Sequence, residues 1–566
     1  MASPGRAFLF PLFLIALACA QGGEATPAPA PPGDGMAEIR GDRVVLRVPP
    51  AEKSRSELAR LAAGLDRALA DMAPRVPVTL SSPVTIIVEP DYTAQGRHAG
   101  EVGEAVRGRQ ADLHLVYHPD DLPAYRYALA GVLLDRAGIA GKLPPELARG
   151  AALWLSRDWY GKPYPEWLPL LTAARVLPDP EEILAQEEAG DASILLSTPV
   201  AAAVVDRLPG STLKERLSHL PSASQVGTIL SSLRPAAEAP AAPASRQEEP
   251  FLKGISLAML NSLDGGYHAP AVEKQLDAFS RLGANAVSLM PFAFQRGADR
   301  PGLRFLNRRP ASETDIGLIH AARAARARGM RVLWKPHVWV SGASWPGEIA
   351  MKSEADWAAW WRSYRRYVLH HALLARWAGA DLFCVGVELS KTTGREAEWR
   401  DLIAAVRLVY PGPVTYAANW YGDLETVRFW DRLDFIGVDA YFPLAEKPGA
   451  GKAERERGAR QVAERLARAA RRFGRPVLLT EVGFAAKSEA WMEPHVEGGA
   501  YSEEDQAAAY EALLAALDHH PWLAGTFVWK AFSAPGAEGG PEADFRFQGR
   551  KAEGVVRRYY GGEPRR

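Results

Sequence analysis

Two apolar segments of this chain each run into a single carboxylate: Phe383-Cys384-Val385-Gly386-Val387 leads to Glu388, and Val477-Leu478-Leu479-Thr480 leads to Glu481. Such a pair has the residue types for glycosidic bond hydrolysis. One protonated carboxyl releases the leaving oxygen, and one ionised carboxylate attacks the anomeric carbon from about 5 to 5.5 Å away in a retaining site. If both segments are strands of one parallel barrel, they finish on the same face and their end groups meet in one cleft. A glutamate closing an apolar strand is, by itself, more often a salt-bridge partner than a catalyst, so the surrounding pattern has to decide.

That pattern repeats eight times beyond residue 250. Strand-like segments run Leu252 to Ala258, Ala286 to Pro291, Arg331 to His337, Leu382 to Glu388, Pro413 to Ala418, Phe435 to Tyr441, Pro476 to Glu481 and Gly525 to Lys530. Helical spacing fills the intervals: Ala271 to Leu282, Thr314 to Arg328, Ser353 to Trp377, Glu396 to Val409, Leu424 to Trp430, Ala453 to Phe473 and Ser502 to Leu517. Gly283, Gly329 and Gly474 close helices just before the next strand, the usual place for a left-handed stop. Alternating strands and helices predict an α/β fold, a (β/α)8 TIM barrel. Polar residues cluster at the ends of these strands: Gln295, Lys335, His337, Glu388, Asn419, Trp420, Asp439, Tyr441, Glu481 and Trp529. Glu388 and Glu481 are the catalytic candidates. Lys335, His337, Trp345, Asn419, Trp420, Tyr441 and Trp529 are the substrate-binding candidates, the indoles offering flat apolar faces on which a sugar ring stacks. Lys335 and Lys530 are equally suited to pairing with barrel carboxylates.

A carboxylate on the fourth strand and another on the seventh is the arrangement of the clan A glycoside hydrolases, and within that clan the chain resembles glycoside hydrolase family 113. The matching stretches follow in order: Lys253-Gly254, Lys335-Pro336-His337-Val338, Ser344-Trp345-Pro346-Gly347-Glu348-Ile349, Val385-Gly386-Val387-Glu388-Leu389, Trp399-Arg400-Asp401-Leu402-Ile403, Thr415-Tyr416-Ala417-Ala418-Asn419-Trp420, Phe429-Trp430-Asp431-Arg432-Leu433-Asp434 and Thr480-Glu481-Val482-Gly483-Phe484. The known members of that family are retaining β-mannanases, so the resemblance implies Glu388 as acid/base, Glu481 as nucleophile and β-1,4-mannan as substrate. Val387 departs from the wider clan, where an asparagine before the acid/base binds the sugar 2-hydroxyl. Asn419 and His337 are the candidates to replace it.

A smaller α+β, largely helical domain precedes the barrel. The chain divides into an export signal (1–20), a Pro/Ala/Gly tether (21–38), this first domain (39–222), a Pro/Ala-rich linker (223–249) and the barrel (250–566). The first domain opens with a strand over Arg43 to Val48, a helix over Ser54 to Met72 and a strand over Val84 to Val88. Around Tyr125 to Trp154 the order of features resembles gluzincin-type zinc metallopeptidases: Leu143-Pro144-Pro145-Glu146-Leu147-Ala148-Arg149-Gly150-Ala151-Ala152 follows a helix reading Arg126-Tyr127-Ala128-Leu129-Ala130. Arg126, Ala130 and Arg149 stand where ligands belong, and none of them can bind zinc. The resemblance implies a degenerate, non-catalytic domain; an unrelated α+β domain is the competing reading.

Composition narrows the function further. Of 566 residues, 67 are Lys or Arg and 67 are Asp or Glu, so no bulk positive field attracts nucleic acid. Arg6, the apolar run Ala7 to Ala18 and Ala18-Cys19-Ala20 read as an export signal; the alternative is a lipoprotein signal, with Ala16-Leu17-Ala18 before a lipid-anchored Cys19. Export, to the periplasm, the medium or the envelope surface, is therefore expected. No later segment approaches the roughly 20 apolar residues of a transmembrane span. With two cysteines, Cys19 and Cys384, no intrachain disulfide is expected. No cofactor or metal is expected, because no ligand-spaced His/Asp/Glu cluster stands out. The expected partner is a neutral polysaccharide or oligosaccharide, and the competing function is a non-catalytic carbohydrate-binding or envelope scaffold that kept the barrel.

Overall fold

The computed structural model describes residues 36–561 except 50–53, 79, 109–110, 188–192, 236–249, 306–310, 344, 519 and 535–541. The export signal, Cys19 and most of the tether lie outside the described residues.

Eight parallel strands close a barrel: β1 (Leu252–Ala258), β2 (Ala286–Leu289), β3 (Arg331–Trp334), β4 (Leu382–Val387), β5 (Val414–Asn419), β6 (Ile436–Asp439), β7 (Val477–Val482) and β8 (Leu523–Phe532), with β8 returning to β1. Every residue of β2, β4, β5, β6 and β7 is buried, which is why these segments read as continuous apolar runs and not as alternating ones. Their interior side chains, among them Leu252, Leu333, Cys384, Ala417, Leu478 and Phe527, pack against one another inside the barrel. Gly386 is required on β4, because a Cβ there would sit 2.6 Å from the Trp399 ring. The outer helices keep close to the expected bounds, from Ala271–Arg281 to Glu503–Leu517.

Three departures from the sequence reading have local causes. The third strand does not continue to His337. Pro336 has no N–H for the ladder, so β3 stops at Trp334, and His337–Val340 starts a separate sheet with Phe292–Gln295 and Leu303–Phe305. The helix expected over Leu424 to Trp430 is only Asp423–Thr426 followed by a single 3-10 turn at Trp430–Arg432. Its first residue is diverted, since the Asp423 carboxylate accepts from the Asn419 N–H (3.2 Å) and the Ser390 hydroxyl (2.6 Å). The linker does not begin at 223, because Ala223–Ser231 is a helix with a Ser222/Gln225 capping box and a buried Val226. A helix the sequence reading omitted, Lys551–Tyr560, follows β8 and packs against Glu503–Leu517; the Tyr560 carbonyl accepts from Lys253 Nζ at 2.6 Å.

The N-terminal part holds a five-stranded sheet, Ala37–Arg40, Val44–Val48, Val84–Glu89, Leu113–Val116 and Ala105–Val106, under a layer of helices. It meets the barrel's outer helices through polar contacts. Arg366 pairs with both oxygens of Glu182 (2.9 and 2.6 Å), Arg323 with Asp121 (2.9 Å), and Ser193 with His370 (2.9 Å).

Candidate active site

The C-terminal ends of the strands open into a cleft of about 500 Å³. Glu388 and Glu481 both line it, as do His337, Trp345, Asn419, Trp420, Tyr441 and Trp529. Register explains the convergence: Asn419 on β5 is paired with Asp439 on β6, and Asp439 with Glu481 on β7, so three polar residues share one level at the barrel rim. Register shifts occur in β4 between Cys384 and Val387, in β6 beside Asp439 and in β7 around Glu481. Bulges of this kind re-aim side chains at a barrel rim. Glu388 itself has φ +52, a left-handed conformation that costs a non-glycine residue of order 1 kcal/mol or more.

The two carboxyls have different company. Glu481 accepts a hydrogen bond from the Tyr441 hydroxyl on Oε2 (2.5 Å) and one from the Lys335 ammonium on Oε1 (2.5 Å). Among the described residues Glu388 accepts only from neutral donors, Trp345 Nε1 on Oε2 (2.8 Å) and Asn419 Nδ2 on Oε1 (3.0 Å). Burial, Asp439 and Glu481 push the Glu388 carboxyl well above the usual range. Burial and Asp439 also push Glu481 up, to about 7, against the opposing pull of Lys335 and Tyr441. The cation in contact with Glu481 makes it the first of the two to ionise. Glu388, whose ionisation must then add a second negative charge to the same buried space, keeps its proton. One cleft thus holds two carboxyls whose surroundings favour ionising Glu481 before Glu388.

Trp345 reaches Glu388 because Gly347 lets the indole lie across the turn; a Cβ at 347 would be 2.1 Å from the ring. Asn419 is held by Asp423 from behind and accepts the Tyr421 N–H (2.7 Å) on its own Oδ1. His337 packs on Phe292 (4.9 Å between ring centres) and stacks on Trp529 (6.4 Å); burial, then the Lys335 charge, keeps it neutral. Lys335 is the exception among the expected substrate contacts. It is wholly buried beneath the cleft and makes ion pairs with Asp439 (2.9 Å) and Glu481 (2.5 Å), so it cannot touch a sugar. Glu313, Phe292, Phe294, His495, Glu497 and Phe545 also line the cleft and were not singled out from sequence. Phe292 and Phe294 lie on the small sheet and the others on connections beyond the barrel strands, where spacing carries no signal.

Among the described residues no group of His, Cys, Asp and Glu side chains could hold a metal ion, and no helix is long and apolar enough to cross a membrane. In the N-terminal part Arg149 pairs with Glu146 (2.6 Å) and Arg126 with Asp71.

A closed eight-stranded barrel whose fourth and seventh strands deliver one carboxyl each into an aromatic-walled cleft defines a glycoside hydrolase. Residues 259–549, just over half of the chain, match the profile of Glycoside Hydrolase Family 113, and the chain belongs to that family. Among solved structures it is similar to a family 113 β-1,4-mannanase in complex form, at 24% identity and TM-score 0.50, over 56% of this chain and 100% of the other. It is also similar to the family 113 β-mannanase from Alicyclobacillus acidocaldarius in complex with ManMIm, at 28% identity and TM-score 0.49, over 56% of this chain and 98% of the other. No curated protein sequence matches the chain.

Proposed function

We propose that this protein is an exported, retaining endo-β-1,4-mannanase working by double displacement. The observation that carries the mechanism is the unequal surroundings of the two carboxyls: among the described residues, Glu481 touches a cation and Glu388 touches none. Glu481 attacks the anomeric carbon while Glu388 gives its proton to the departing oxygen. Water then enters the vacated position, Glu388 takes a proton from it, and the ester to Glu481 is hydrolysed. Trp420 and Trp529 supply stacking faces, and Asn419 and His337, which line the same cleft, are the groups we assign to the sugar 2-hydroxyl. Mannan is the substrate by family membership, since the stretches matching family 113 run through the whole barrel. A binding-only barrel gains nothing from burying two mutually repelling carboxyls, which weighs against the scaffold reading. The N-terminal part acts as a non-catalytic companion, whether or not it descends from a peptidase, and export rests on the apolar stretch Ala7 to Ala18.

The test is hydrolysis of mannan, glucomannan, chitosan and xylan oligosaccharides by the mature protein, beside Glu481→Gln. The expected result is turnover of mannan, its abolition in the variant, and retained oligosaccharide binding. Full activity in Glu481→Gln would overturn the assignment.

A further inference from the structure

Beneath the cleft lies a cluster that hydrolysis by two glutamates does not by itself require. Lys335, at the end of β3, is fully buried, and its ammonium is shared by Glu481 Oε1 (2.5 Å) and Asp439 Oδ1 (2.9 Å). Asp439, on β6, is also fully buried, and the same Oδ1 accepts the Thr480 hydroxyl from β7 at 2.7 Å. Its other oxygen, Oδ2, is sealed from solvent and has no hydrogen-bond partner among the described residues. Three charges with a net negative sum and one unsatisfied oxygen are an expensive way to fill a barrel core. Buried ion clusters are commonly no more stable than well-packed apolar residues, and an unpartnered buried acceptor is a direct loss. Fold stability therefore does not account for the cluster. Its geometry relative to Glu481 does.

We propose that Lys335 and Asp439 are positioning residues of the hydrolytic site: Asp439, fixed by Thr480, anchors the Lys335 ammonium against Glu481 and thereby sets the aim and charge of the attacking carboxylate. The two act in opposite electrostatic senses. Lys335 favours the ionised form of Glu481, and Asp439 opposes it; both effects reach Glu388 with the same signs. Without Asp439 the ammonium would be free to neutralise Glu481 outright and make it a weak nucleophile. With Asp439 the ammonium is divided between two carboxylates, leaving Glu481 ionised yet basic. The other titratable groups around this space are Glu388 and Cys384 from β4, His337 after β3 and Tyr441 after β6. Cys384 is pushed up to about 12 by burial and His337 is held neutral, so neither changes charge where the enzyme works. Lys530, from β8, faces Glu497 instead (3.8 Å).

This inference rests on Glu481 being the nucleophile, and its test separates the two claims. The pH dependence of kcat/KM on the best oligosaccharide is compared for wild type, Lys335→Met and Asp439→Asn, with Thr480→Val as a milder release of the anchor. Lys335→Met should move the acidic limb up by about 1 to 3 pH units, the effect of losing an adjacent opposite charge. Asp439→Asn, nearly isosteric, should move both limbs down, and Thr480→Val should lower kcat with little change in KM. Limbs unmoved in Asp439→Asn, or shifted in the same direction in both charge variants, would overturn the proposal. If Lys335→Met does not fold, Asp439→Asn carries the test alone. A carboxyl carbon NMR titration of Glu481 reads the same opposed shifts without turnover. A protein that hydrolyses nothing yet shows those shifts sinks the function and leaves the positioning intact.

Discussion

Replacing Trp345 by Phe should shift the alkaline side of the activity profile. The indole N–H donates to Glu388 Oε2 at 2.8 Å, and this contact is among the few influences that favour the ionised form of a carboxyl otherwise pushed upward by burial, Asp439 and Glu481. A hydrogen bond to a charged group contributes about 1.5 to 3 kcal/mol, and moving a titration by one pH unit takes about 1.4 kcal/mol. Phe keeps an aromatic face over the turn at Gly347 but donates nothing, so the Glu388 titration should rise by roughly one to two pH units. Glu388 is needed protonated in the free enzyme, and activity falls when it loses that proton. The raised carboxyl therefore carries the alkaline limb of kcat/KM upward by the same amount. The measurement is a full pH profile of kcat/KM for wild type and Trp345→Phe on one oligosaccharide, with folding checked by near-UV circular dichroism. An alkaline limb that stays in place, or moves down, would refute the assignment of Glu388 as proton donor or of Trp345 as its donor partner.

Asn419→Ala removes the second donor to Glu388 (3.0 Å) and should reduce kcat/KM by about 2- to 10-fold, the usual net value of one hydrogen bond between neutral groups, read from initial rates. Trp529→Ala should raise KM by roughly 10-fold with a smaller change in kcat, as expected for a lost stacking platform, measured across an oligosaccharide series. Arg366→Met takes the guanidinium away from Glu182 where the N-terminal part meets the barrel, leaving that carboxylate the Asp179 N–H (2.9 Å), and should cost about 1 to 3 kcal/mol in denaturant unfolding at neutral pH. Burial raises the Glu182 carboxyl, but Arg366, the Asp179 N–H and Arg362 together outweigh it and hold the carboxyl below its ordinary value. The contribution is therefore full above the unfolded-state titration and is lost as pH falls through the lowered one, so the stability gap between wild type and variant should close in acid.

The barrel was legible because its strands and helices alternate at regular spacing and because the glutamates end continuous apolar runs. All eight strands lie within two residues of their expected bounds, apart from the third. What misled there was composition: Val338-Trp339-Val340 continues an apolar stretch across Pro336, and only the missing N–H marks the point where the chain leaves the barrel for the small sheet. The cleft residues at strand ends were readable, whereas Glu313, Glu497 and Phe545 were not, since their placement depends on how long connections fold back over the rim. Lys335 shows the limit most plainly. Its strand-end position left a substrate contact and a pairing with barrel carboxylates both open, and burial, which spacing does not report, decides for the pairing, with Glu481 and Asp439. Cys19 and the export signal remain readings of sequence, tested by fractionating expressing cells and by mass analysis of the mature N-terminus.

The account stands on two glutamates hydrolysing one bond through a glycosyl-enzyme ester. Proton NMR of the first product formed from manno-oligosaccharide, recorded before mutarotation, tests this most directly. The β-anomer should appear first; initial appearance of the α-anomer would contradict it.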